Sequence, residues 1–171
     1  MSDPKAPEPW LRGTGGELPA ISRAVVHALE LASEDIDRWC GGLTDEELNA
    51  RPSGLPPVAF HLRHIARSID RLLTYAEGRA LDERQMIGLK TELDGGATRA
   101  TVFSEFAAGL TSALARVKVI DPAQFEERRG VGKRQLPTTV GGLLVHVADH
   151  TQRHAGQAIT TAKLVVAGRT P

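Results

Sequence analysis

The 171-residue chain has one cysteine, no net charge and no long apolar run. A single cysteine excludes an intrachain disulfide and points to a reducing cytoplasm. That residue, Cys40, follows Trp39 at the end of a helical pattern and reads as a packed thiol rather than a nucleophile. Lys plus Arg total 21 and Asp plus Glu total 21, so no global field recruits nucleic acid or an anionic membrane. No segment approaches the roughly 18 consecutive apolar residues of a membrane-spanning helix. The opening MSDPKAPEPW lacks the basic and apolar regions of a signal peptide.

What is present suits one soluble domain. Residues 1–16, Pro-rich and polar at the start, are expected to form a flexible tail or an arm on the surface, with residues 17–171 as the domain. Four stretches carry helical periodicity. Leu18 to Trp39 repeats apolar residues at Ile21, Val25, Leu29, Ala32, Ile36 and Trp39, and Gly41-Gly42 stops it. Val58 to Glu77 has a stripe of Val58, Leu62, Ile65, Ile69, Leu72 and Ala76. Thr98 to Val119 carries Val102, Phe106, Leu110 and Leu114. The last, to about Val166, carries Leu144, Val147, Thr151, Ala155, Ala158 and Ala162. Thr44 and Glu47 fit a capping box. The polar stretch after Gly78 has room for a short helix around Glu83 to Leu89. Residues 125–137 read as a turn-rich loop or small hairpin around Gly130 with a solvated charge run, and no strand pattern is persuasive. Four long helices in one domain predict an all-α four-helix bundle.

Histidine is the residue type that carries chemistry here. HVADHTQRHAGQ, residues 146–157, places His146, His150 and His154 at four-residue spacing. Residues i and i+4 share a helix face, so adjacent members of this trio can offer two imidazoles to one ion. All three span about 12 Å of axis, too far for one ion, so a further ligand must come from elsewhere. FHLRHIARSIDRLL on the second helix supplies His61 and His64, with His61 nearer the apolar stripe. Neutral imidazole suits Zn, Ni, Cu and Fe, and three histidines leave a position open for water or substrate. His27 belongs to neither cluster and reads as an ordinary helix residue.

LRHIARSIDRL (residues 62–72) and HVADHTQRHAGQ together, in this order and about 80 residues apart, resemble the two motifs of the DinB/YfiT-like superfamily. The similarity covers about residues 18–166. It implies a DinB/YfiT-like four-helix bundle whose metal ligands are His64, His150 and His154. His61 and His146 become pocket or outer residues, and Asp149 and Gln157 would orient imidazoles through hydrogen bonds. The chain departs from the family pattern at Ala155, where many relatives carry Arg. Arg153 or Arg63 could stand in for that cation, or simply face solvent. The resemblance further implies a homodimer and a small-molecule substrate. One divalent metal, nickel or zinc, would activate a low-molecular-weight thiol for transfer to an electrophile. A hydrolase using metal-bound hydroxide and a non-catalytic metal-binding stress-response protein are the other readings. Asp149 is the nearest candidate for a general base.

Overall fold

The structure, a computed structural model, describes residues 6–169. The helices are α1 (Ala20–Cys40), α2 (Asp45–Asn49), α3 (Val58–Ala76), α4 (Glu83–Lys90), α5 (Arg99–Lys118) and α6 (Val140–Ala167). Each of the four long ones buries one stripe. Leu29 and Ile36, Leu62 and Ile65, Val102 and Phe106, and Leu144 and Val147 meet in a single core. Such burial drives bundle formation more than intrinsic helix propensity does. Side chains stop the entropy of the helix ends from winning. Thr44 and Glu47 form the expected capping box, Asp82 and Gln85 form a second, and the hydroxyls of Thr98 and Thr139 cap α5 and α6.

Trp39 departs from the expected core stripe. Cys40, four residues after Ile36, takes the buried position, and Trp39 is 39% exposed, with the Arg38 and Lys163 cations 5.0 and 4.2 Å from its ring centroid. Burial pushes the Cys40 thiol up to about 12, which removes the thiolate a nucleophile would need. His27 is buried and its Nε2 lies 3.2 Å from the Thr14 carbonyl. That contact helps hold residues 6–16 as an arm along α1, where Arg12 also forks onto Glu34. Residues 1–5 of the expected tail lie outside the described residues.

Around the bundle the packing order is α1, α6, α3, α5. Side-chain pairs fix the directions. His61 meets His154 while His64 meets His150, so α3 and α6 are antiparallel. Arg63 reaches Glu105 and Arg116 reaches Asp70, so α3 and α5 are parallel. A parallel neighbour requires the chain to return the length of α3, about 28 Å for 19 residues. Residues 77–98 make that return along the outside of α3, carrying α4.

Between α5 and α6 the chain forms an antiparallel hairpin, β1 (Arg128–Val131) and β2 (Leu136–Thr139), with Gly130 opposite Pro137. The sequence offers no strand alternation because both strands are only four residues long and half exposed. Its charge run is not all solvated: Arg129 Nε donates to the Ala76 carbonyl at 2.8 Å, satisfying an end of α3. No helix among the described residues is long and apolar enough to cross a membrane.

The α3–α5 contact is closest at Gly109, where an added Cβ would stand 2.7 Å from the Ala66 Cβ. Gly109→Ala gains helix propensity but must push the helices apart. Overpacking outweighs the ~1 kcal/mol gain in propensity. The expected net effect is destabilisation by ~1–2 kcal/mol, read as a lower denaturation midpoint with an unchanged slope. A stabilised variant would show that the two helices are not in close contact there.

Candidate metal centre

The antiparallel α3–α6 seam places two turns of histidine face to face. On α3, His61 is buried and His64 partly exposed. On α6, His150 and His154 are partly buried and His146 is exposed. The rings of His64, His150 and His154 have centroids 4.4 to 4.9 Å apart. Each offers one ring nitrogen, and these three atoms lie within 4.8 Å of one another. Half-buried Phe60 stacks on His64 at 5.3 Å and turns its edge to His61 and His154.

The hydrogen bonds set the tautomers. His64 Nδ1 is 2.7 Å from Glu92 Oε2, and an ionised carboxylate can only accept. The proton therefore sits on Nδ1, and His64 Nε2 presents a lone pair. That atom lies 2.9 Å from His150 Nε2. Two imidazole nitrogens bound to one zinc at ~2.0–2.1 Å in tetrahedral geometry stand roughly 3.3 Å apart, so this pair is already close to chelating distance. His61 Nδ1 lies 3.1 Å from His154 Nδ1, behind the cluster rather than in it. If His154 carries its proton on Nδ1, its Nε2 lone pair is free.

Glu92 completes the site and comes from an element with no motif. It is buried, and its second oxygen accepts from Arg71 Nη1 at 2.7 Å. Burial works against its charge, but the His64 and Arg71 hydrogen bonds outweigh this and hold the carboxyl below the usual range. A carboxylate behind an imidazole raises its basicity and fixes its direction, the usual support for a metal-binding histidine. Phe60, Arg71 and Glu92 all escape the sequence reading. Helical spacing places Arg71 seven residues after His64, two turns along the same face, but nothing in the sequence marks Glu92 as its partner.

Other expected support residues serve elsewhere. Asp149 pairs with Arg153, and its only histidine contact is with exposed His146 at 3.9 Å. Gln157 is exposed and makes no hydrogen bond to an imidazole. One turn of helix carries both residues to the solvent side of α6. Neither candidate for the missing family arginine is free: Arg63 donates to Glu105 and to the Asp94 carbonyl, and Arg153 holds Asp149.

Burial, followed by the neighbouring imidazoles, lowers His61 and His150 from the ordinary 6.5 to about 4. Burial and then His64 do the same to His154. All three are neutral at pH 7, the form in which imidazole binds metal. The sign of the linkage follows. Above 6.5 neither the folded nor the unfolded chain protonates these rings. Between 6.5 and 4 the unfolded chain takes up protons that the folded chain refuses, so stability falls as pH falls. The metal-free protein is expected to lose stability steadily from pH 6.5 to 4. His150→Asn should flatten the slope of denaturation midpoint against pH. A slope unchanged in that variant would show that His150 titrates as it does in water.

The sequence model of the DinB superfamily matches residues 28–158, a span that contains every residue of the cluster. A conserved protein from Enterococcus faecalis, known from its crystal structure, superposes with a TM-score of 0.71 at 20% identity, covering 85% of this chain and 97% of that one. At that identity the likeness speaks for the fold. No curated protein matches the sequence. With two histidine turns on the expected helices and a family match over most of the bundle, the chain belongs to the DinB superfamily.

Proposed function

We propose that His64, His150 and His154 hold one divalent metal, nickel or zinc, and that the protein uses it to transfer a low-molecular-weight thiol to an electrophilic small molecule. The observation that carries the metal is the convergence of three imidazoles from two helices, with no other His, Cys, Asp or Glu of the described residues joining the group. Three protein ligands leave a coordination position for an outside molecule. The partial exposure of all three rings directs that position to solvent. A divalent metal there supplies a Lewis acid that stabilises the thiolate form of a thiol near neutral pH.

The chain's own residues prepare the place. Glu92 keeps the His64 proton on Nδ1, His61 backs His154, and Phe60 stacks on the His64 ring. The choice of thiol over water rests on the carboxylates. Hydrolysis at such a centre is helped by a carboxylate base beside the activated water. Glu92 is committed to His64 and Arg71, and Asp149 to Arg153. A thiol, with a free pKa of ~8.5, sheds its proton without such help.

Elemental analysis of untagged protein purified without chelator is expected to give about one divalent ion per chain. His64→Ala and His154→Ala should lose it, and His61→Ala should keep it. Glu92→Gln should bind ~10–100-fold more weakly. Metal-loaded protein should then accelerate addition of glutathione or a related thiol to an aryl halide, and His64→Ala should not. Metal-dependent ester hydrolysis without thiol addition would replace the transferase by the hydrolase. Bound metal with neither activity would leave a metal-binding protein without turnover.

A further inference from the structure

A well-formed cavity lies away from the histidines. It lies on the opposite flank of α3, between α4 and α5, with a volume of about 410 Å³. That size is within the range of small-molecule sites, roughly 300–1,000 Å³. Ala66, Ile87, Gly109 and Ala113 give it an apolar wall, and Arg67, Arg71, Arg84 and Arg116 surround it.

Charge alone does not name a ligand, because acids pair with these arginines. Arg116 spends all three nitrogens on Glu77, Asp70 and Thr74. Exposed Arg84 lies 3.6 Å from Asp70. Arg71 is different. Its side chain is only 10% exposed, and it gives Nη1 alone to Glu92. Its Nε and Nη2 make no protein hydrogen bond. Ser22 Oγ is the sole sealed, unpartnered side-chain polar atom among the described residues, so those two nitrogens keep access to solvent, and Arg71 is one of the residues that line the cavity. One helical turn away, Arg67 gives Nε to Glu105 and Nη1 to the Gly88 carbonyl and Thr91, with Nη2 uncommitted. Residues four apart share a helix face, so both sets of spare donors front the same space.

We propose that this cavity is a second ligand site that takes a small organic carboxylate, its anion on the free edge of Arg71 with Arg67 beside it and its apolar body against Ile87 and Ala113. A guanidinium edge matches a planar carboxylate with two parallel hydrogen bonds. Asp70 and Glu105 in the same wall repel a dianion, so a monocarboxylate is favoured over phosphate. The anchor is shared: Arg71 also holds Glu92, which holds His64. A carboxylate on Arg71 competes with Glu92 for the same guanidinium and is felt at the His64 ring.

The test is an amide and imidazole NMR titration of the full, metal-free chain with benzoate, benzamide and inorganic phosphate. It does not depend on the metal centre being catalytic. Benzoate is expected to shift the Gly88 and Gly109 amides and the His64 ring saturably. Neutral benzamide should bind at least ~10-fold more weakly, the value of one or more charge-assisted hydrogen bonds. Arg71→Gln should weaken benzoate by a similar factor, and Arg67→Gln by less. Equal binding of benzamide in the wild-type chain would overturn the proposal even if Arg71→Gln does not fold. So would phosphate binding as tightly as benzoate, shifts confined to His150 and His154, or benzoate binding that survives Arg71→Gln.

Discussion

Because α3 and α5 run parallel, the chain between them must travel back the whole length of the bundle. That constraint shapes everything of chemical interest in this protein. The returning segment is held by polar ties, since its backbone and side-chain polar groups need partners. It lies on α3, where Gln85 ties to Asp70 and Thr74, and Arg67 ties to Gly88 and Thr91. The end of the same segment brings Glu92 behind His64. One crossover therefore roofs the arginine cavity and completes the histidine centre.

The histidine centre is costly to the folded chain. The imidazoles crowd one another, and desolvation lowers His61, His150 and His154 from the ordinary 6.5 to about 4. A core of the same shape built from leucine would be more stable, by the logic that governs buried polar clusters generally. The cost is at its lowest above pH 6.5, where neutral rings ask only for hydrogen bonds. A cation taking the three lone pairs offsets it further, because any ligand bound only by the folded state stabilises that state. The arrangement is that of a site built for a ligand, and the surrounding bundle, with its single core, carries the stability.

The bundle was legible in the sequence because apolar stripes report the face of a helix directly. The stripes on α1, α3, α5 and α6 predict most of the buried residues; Ile21, Leu72 and Leu114 are only partly buried, and at Trp39 the chain prefers small Cys40 inside and leaves the large ring stacked between cations. The pairing of His64 with His150 and His154 was legible only through the family motifs. Spacing alone leaves His61 and His64 equal candidates, and the choice depends on how α3 is rotated in the seam. Glu92 was not legible at all. It sits in a polar, irregular stretch, and its partner His64 is 28 residues away, so only the return path shows that they meet. The hairpin was legible only as an alternative to a turn-rich loop around Gly130, because four-residue strands have too few positions to display alternation.

Arg71 is where the two halves of the structure meet, and its chemistry explains why lysine would not serve. A lysine could neutralise Glu92 as a point charge, but it has no second edge. The guanidinium holds Glu92 with one nitrogen and presents the others to the cavity in a fixed plane. Its side chain rises from α3 and is only 10% exposed, so neither end of the rigid fork can move without disturbing the other. Whatever draws on the free edge of Arg71 weakens its grip on Glu92, and Glu92 in turn sets the proton on His64 Nδ1. Coupling of this kind needs no hinge and no domain movement. It needs one buried cation with two anionic claimants, and a carboxylate whose other oxygen already belongs to a ligand of the centre.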